Sequence, residues 1–282
     1  MDCAGGRVIT EERIDAFERF LVREEKSRAT REKYLRDIKA FYRYLDGREV
    51  SKETAVCFKE HLKKEGYKPR SINSMLASLN SFFRFAAWGD CRVKSLKLQR
   101  QSFCEDDRML TKEEYRRLLA AAVNSPRLCL LLQTICGTGI RVSELQFFTV
   151  EAVRHGEVRV DCKGKNRTII IPGKLRSNLL HYARQKGIRS GVLFRTRSGR
   201  PLDRSNIWAA MKRLCRQAGV ASYKVFPHNL RKLFARCFYD MEKDISRLAD
   251  ILGHSSIDTT RIYVMTTKKE QLHRIERLEL VI

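Results

Sequence analysis

Toward its C-terminal end the chain reads Leu252-Gly253-His254-Ser255-Ser256-Ile257-Asp258-Thr259-Thr260-Arg261-Ile262-Tyr263. The glycine suits a helix C-terminus, and the histidine follows on the exit turn. Taken alone, these are a histidine that helps neutralise a helix end and a packing aromatic. The upstream sequence changes that reading. Pro227-His228-Asn229-Leu230-Arg231 supplies a His-x-x-Arg, and Gly137-Thr138-Gly139-Ile140-Arg141-Val142-Ser143-Glu144-Leu145 places an arginine just after a Gly-x-Gly turn. Between them, Val158, Val160 and Cys162 alternate with polar residues, Lys163-Gly164-Lys165-Asn166 turns, and Thr168-Ile169-Ile170-Ile171 follows. That pattern predicts a β-hairpin with lysines at its tip. His-x-x-Arg is weak evidence by itself, since His181-Tyr182-Ala183-Arg184 repeats it by chance composition. The weight lies in the series: Arg141, a hairpin lysine, His228-x-x-Arg231, Gly253-His254, then Tyr263. Two arginines, two histidines and a tyrosine are the groups needed to break a phosphodiester without a metal, because cations hold the phosphate while a phenol attacks it.

Composition agrees with a polyanionic partner. The 282 residues carry 57 Lys plus Arg against 33 Asp plus Glu, a net charge of +24, with 43% apolar residues, ample for folded cores. The excess is spread along the chain: residues 1–100 hold 23 basic and 15 acidic residues, and residues 101–282 hold 34 and 18. A folded basic chain of this kind most often meets nucleic acid. There are nine cysteines and no Cys-x-x-Cys pair, so neither a zinc module nor a disulfide scaffold is expected, and a reducing compartment fits. No secretory leader is expected from Met1 to Arg13, and the apolar cluster Leu128 to Leu132 is far too short to span a bilayer.

The first hundred residues read as helices. Thr10, Thr30, Ser51 and Ser71 each open a segment with apolar residues at helical spacing, which predicts a compact four-helix bundle. Asn73, Ser74 and Asn80 lie on the polar face of the fourth segment, where they either approach a nucleic acid's base edges or form the helix's solvated face. Gly89 to Arg108 has no clear period and reads as a linker. Thr111-Lys112-Glu113-Glu114 is a capping box that restarts structure. Helix is then expected from Arg127 up to the hairpin, and again over 206–218, 229–239, 245–252 and 267–280.

The joint pattern resembles the tyrosine recombinases of the phage-integrase family, and among them the compact Xer-like members. The likeness rests on Gly137 to Leu145, Lys163-Gly164, Pro227 to Arg231 and Leu252 to Tyr263. It is joined by Leu79-Asn80-Ser81-Phe82-Phe83-Arg84-Phe85, which is similar to the family's last core-binding helix. Two departures stand out. Lys232-Leu233 follows Arg231 where the family often has His and a small residue, and Cys162-Lys163-Gly164 replaces the usual Gly-Lys-Gly. The resemblance implies a mainly α fold with a small β-hairpin. An N-terminal four-helix, SAM-like core-binding domain (residues 1–90) would be followed by a linker (91–108). A mostly helical α/β catalytic domain (109–282) would carry a protomer-docking tail, and no arm-binding domain would precede Thr10. The two domains would clamp duplex DNA from opposite sides.

The resemblance also implies a mechanism. Arg141, Arg231 and His254 would hold the phosphate, Tyr263 would be the nucleophile and His228 its proton acceptor or a group that positions it. Lys163, or Lys165 two residues on, would protonate the leaving 5′-oxygen, and Glu144 would orient Arg141. Arginine suits phosphate because its planar fork matches two oxygens and stays charged. No metal or organic cofactor is expected. The expected partners are double-stranded DNA with paired binding sites, further copies of the chain in a tetramer that passes through a Holliday junction, and an accessory or directionality protein. The expected location is the cytoplasm.

Overall fold

The computed structural model describes residues 6–99, 103, 108–162 and 165–280. The chain divides into two compact units, residues 1–100 and 101–282. In the first, helices α1 (Glu11–Arg23), α2 (Arg28–Leu45), α3 (Lys52–Lys64) and α4 (Pro69–Phe85) pack around a phenylalanine-rich core. Phe17 meets Phe82 edge-on at 5.2 Å, and Phe41 meets Phe58 at 5.0 Å. Thr10 caps α1, with Glu11 and Glu12 in the first turn, where negative charge faces the positive helix end. Two starts differ from expectation. α2 begins earlier, because the Ser27 side chain accepts the Thr30 N–H and is the true cap. α4 begins at Pro69 rather than Ser71, since proline's missing N–H is harmless in a first turn.

The stretch after α4 is not free linker at its start. Cys91 and Val93 are buried in the bundle core, and Leu96 packs against it. Asn80 donates to the Val93 carbonyl at 2.8 Å and accepts the Val93 N–H at 2.9 Å. Asn73 makes the same pair with Leu96, at 2.9 and 2.7 Å. These amides, candidates for base contacts by sequence, instead hold an extended backbone that lacks a strand partner of its own. Of that face Ser74 remains exposed. Removing one amide leaves a part-buried N–H and C=O unpaired, a loss of about 1–3 kcal/mol. Asn80→Ala is therefore expected to lower the urea midpoint followed by far-UV circular dichroism, and an unchanged midpoint would count against this anchoring.

The second unit opens with α5 (Lys112–Ala121), capped reciprocally by Thr111 and Glu114. α6 (Pro126–Thr138) and a 3-10 turn over Val142–Phe147 follow, then α7 (Val150–His155). The expected hairpin is present: β1 (Glu157–Cys162) pairs antiparallel with β2 (Lys165–Ile170), Val160 opposite Arg167. Then come α8 (Gly173–Gln185), α9 (Arg204–Ala218), α10 (Pro227–Glu242), α11 (Ile245–Leu252), α12 (Ile257–Arg261) and α13 (Lys268–Glu276). α8 is an addition to the expected elements, and it buries Leu175, Leu179, Tyr182 and Ala183. The main core gathers Leu131, Ile135, Phe148, Val158, Leu179 and Phe194. A smaller cluster joins Ala235, Leu248, Leu252 and Tyr263 beside it. Past α12 the apolar side chains of Leu272, Ile275, Leu278 and Leu280 face solvent. Among the described residues no helix is long and apolar enough to cross a membrane.

Candidate active site

Two helix ends and one helix start converge to make the site. α6 stops at Gly139, whose φ of +65° is a left-handed conformation that favours glycine. A Cβ there would also lie 2.4 Å from the Phe234 ring, so glycine is required twice over. The chain then turns through buried Ile140 into Arg141, which leads the 3-10 turn. α11 stops in the same way at Gly253, φ +62°, and the His254 N–H reaches back to the Ala249 carbonyl at 2.9 Å. That six-residue closure fixes where the histidine leaves the helix. α10 begins at Pro227, so His228 and Arg231, three residues apart, share a face of its first turn.

Arg231 is 1% exposed and sits at the centre. Its Nη1 donates to the Gly139 carbonyl at 2.5 Å and its Nη2 to the Leu252 carbonyl at 2.7 Å. Nη2 also lies 2.9 Å from His254 Nε2. A guanidinium only donates, so Nε2 is the acceptor there. The proton of neutral His254 then rides on Nδ1, which faces the hydroxyl of buried Thr260 at 2.9 Å. Arg141 donates from Nη1 to Glu144 at 3.0 Å and from Nη2 to the Gly253 carbonyl at 3.0 Å, while its side chain stays 42% exposed. Glu144, as expected, orients this arginine, and it also accepts the Arg141 backbone N–H at 2.7 Å.

Tyr263 closes the group. Its ring lies 4.9 Å from the His254 ring, 5.0 Å from the His228 ring and 5.9 Å from the Arg231 guanidinium carbon. Its hydroxyl is 3.5 Å from His228 Nδ1, a long contact. Arg141, His228, Arg231, His254 and Tyr263 are thus brought together from three separated stretches of sequence. Lys163 lies outside the described residues. Sequence reading missed two members, Thr260 and Arg167. Arg167 bonds both Glu144 and the Ile251 carbonyl. A signal for it exists: it shares the inward phase of β2 with buried Ile169 and Ile171, where an apolar residue is the norm.

The electrostatics follow from burial beside like charge. Burial, then Lys232, Arg231, Arg141 and Arg204, push His228 down to about 4. Burial, then Arg231, Arg141 and Arg167, push His254 to about 4 as well. Burial and Arg141 lower Arg231 to about 10, which still leaves it charged at neutral pH. Both histidines are therefore neutral, and the arginines supply the positive potential. Imidazole NMR titration of the free protein is expected to show both rings neutral at pH 6, with midpoints near 4 instead of the ordinary 6.5. The unfolded chain binds protons that the fold refuses between about 6.5 and 4, so stability falls as pH is lowered through that window. Ordinary midpoints for both rings would contradict this picture.

Fold and site together define a mainly helical protein with an arginine–histidine–tyrosine centre suited to an anionic oxygen cluster. Residues 108–270 match the phage integrase family, and residues 14–89 match the phage integrase N-terminal SAM-like domain. The chain belongs to the phage integrase family. It is similar to the tyrosine recombinase XerA of Pyrococcus furiosus, at 30% identity over 98% of this chain and 96% of that protein. In fold it is similar to a lambda integrase dimer bound to a COC′ core site, with a TM-score of 0.72 at 20% identity, covering 90% of this chain and 95% of the other. It is likewise similar to a lambda integrase tetramer bound to a Holliday junction, with a TM-score of 0.70 at 21% identity, covering 89% and 76%.

Proposed function

We propose that the chain is a site-specific DNA recombinase that cleaves and rejoins duplex strands through a tyrosine at residue 263. The observation that carries this reading is the convergence of Arg141, Arg231, His254 and His228 on Tyr263, at the end of a chain whose whole length is recombinase-like. The Tyr263 oxygen attacks the scissile phosphorus, the bond to the 5′-oxygen breaks as Lys163, or Lys165, gives that oxygen a proton, and a 3′-phosphotyrosyl link and a free 5′-hydroxyl result. His228, neutral and with Nδ1 3.5 Å from the phenol oxygen, accepts its proton. Arg141 and Arg231 stabilise the charge that gathers on the nonbridging oxygens. Tyr263 is 8% exposed and lies over Arg231, so its ring turns aside as the phosphate enters. The incoming anion offsets the repulsion among the cations, and His254 then protonates more readily and adds a donor. A 5′-hydroxyl from another strand attacks the phosphotyrosine, reseals the backbone and releases Tyr263. Because the link conserves the bond, neither metal nor nucleotide is consumed.

On this reading the protein acts as a tetramer on two paired DNA sites, exchanging strands through a Holliday junction. An accessory protein sets direction, and the work is done in the cytoplasm. The exposed apolar face of Leu272, Ile275, Leu278 and Leu280 is the segment that docks on a neighbouring protomer. The task is integration and excision of a mobile element or resolution of a replicon. Phosphate contacts from both basic units supply most of the affinity, with a steep salt dependence.

Covalent capture from a pool of nicked duplexes with randomised cores tests the chemistry. Wild type is expected to yield a detergent-stable protein–DNA adduct, and Tyr263→Phe none, with DNA affinity retained; an adduct in the variant would reassign the nucleophile. Lys163→Ala is expected to cut an oxygen-linked strand about 10²–10⁴-fold more slowly, as for loss of a general acid. It should recover on a strand whose leaving group is a 5′-thiol, which departs unprotonated. Rescue of Lys165→Ala by the 5′-thiol, with none for Lys163→Ala, would move the acid to Lys165.

A further inference from the structure

Glu144 is 1% exposed and answers to two guanidiniums. One of its oxygens takes the Arg141 side chain at 3.0 Å. The other takes the Arg141 backbone N–H at 2.7 Å and the Nη2 of Arg167. Arg167 belongs to β2, so this bond ties the hairpin to the Arg141 turn. Its Nη1 donates to the Ile251 carbonyl in the last turn of α11. Two residues on, the Gly253 carbonyl accepts Arg141 Nη2 at 3.0 Å, which closes a ring of contacts. The stem of Arg167 lies across Gly253, where an added Cβ would stand 2.6 Å from Arg167 Cδ. The glycine of the Gly-His pair thus makes room for this arginine as well as ending the helix.

We infer that Arg167 is a positioning residue for strand cleavage: by holding the second oxygen of Glu144, it keeps that carboxylate from clasping Arg141 with both oxygens. The inference rests on the cleavage reading above. Carboxylates favour a two-pronged grip on a guanidinium. Such a grip would take donors from Arg141 and cancel its charge. With Arg167 in place, one carboxylate lies between two guanidiniums, and a positive charge is left over on the side where Arg141 is 42% exposed. Arg167 itself is 11% exposed, so it reaches a phosphate only through the residues it orders. An arginine is needed because two acceptors in different directions must be met at once, and a lysine would serve one of them less well.

The test uses full-length protein and a nicked duplex recovered by wild-type covalent capture, with single-turnover adduct formation and fluorescence-anisotropy affinity as readouts. Arg167→Ala is expected to slow adduct formation about 10²-fold, in the range for loss of one transition-state donor, with affinity within about threefold because the duplex holds many other phosphate contacts. Arg167→Lys should recover part of the rate. The decisive arm is Glu144→Gln. Alone it should slow cleavage, since Arg141 loses its charged anchor. In the Arg167→Ala background it should raise the rate, since a neutral amide does not capture Arg141. A wild-type rate in Arg167→Ala, or a double variant no faster than Arg167→Ala, overturns the inference. If Arg167→Ala does not fold by circular dichroism, Arg167→Lys is compared with the uncharged Arg167→Gln. A tenfold advantage for lysine is expected, and equal rates overturn the inference. No adduct with wild type on any duplex would overturn the cleavage reading and this inference with it. Wild-type adduct with an unaffected Arg167→Ala overturns the inference alone.

Discussion

The guanidinium of Arg231 has almost no exposed surface, and the carbonyl oxygens that end two helices accept its hydrogen bonds. Each of those carbonyls sits at a helix C-terminus, where backbone dipoles leave partial negative charge. Burying a cation is costly unless it is met on several sides, and here it is met by Gly139, Leu252 and His254. This one side chain therefore decides where α6 and α11 end relative to one another. It also decides where Arg141 emerges after the first and His254 after the second. The rest of the centre inherits its spacing from that clasp. Both helices end in glycines at positive φ, so the carbonyls turn inward with no side chain in the way.

Around the clasp the protein gathers cations faster than it neutralises them. Arg141, Arg167 and Arg231 share buried Glu144 and a few carbonyls, and the lowered affinities of Arg231, His228 and His254 for protons record burial first and this surplus second. A surplus of this kind is a standing cost to the free fold and an advantage once a dianionic transition state arrives. The neutral histidines fit this division on the cleavage reading: His228 would take a proton, and His254 would gain one as negative charge arrives.

Much of this was legible in the sequence, for a physical reason. The hairpin announced itself by alternation, and the series of arginine, histidines and tyrosine lay on turns and helix starts with local signals of their own, such as Gly253 before His254. What escaped depended on contacts between distant segments. Asn73 and Asn80 looked like a solvated face because nothing local marks Leu96 and Val93 as their partners. α8 was hidden behind Pro172-Gly173, which reads as a turn, although Leu175 and Leu179 keep a helical interval. Arg167 was missed because a charge in a hairpin is ordinarily counted as solvated, yet its phase matches Ile169 and Ile171. Thr260 carried no signal of its own; only the fold shows that its hydroxyl faces His254.

On the cleavage reading proposed above, the ring of Tyr263 and a phosphate would compete for one face of Arg231. Tyr263 is packed with Ala235, Leu248 and Leu252, so any ligand must first displace a small patch of apolar contact. Only a ligand that also binds elsewhere on the protein can meet that requirement, because the displacement acts as a fixed toll on apparent affinity. On that reading a free mononucleotide or inorganic phosphate would gain too little to lift the ring, whereas a duplex held by many phosphate contacts would gain enough. On that reading, the packing of one aromatic side chain would discriminate among ligands by their length.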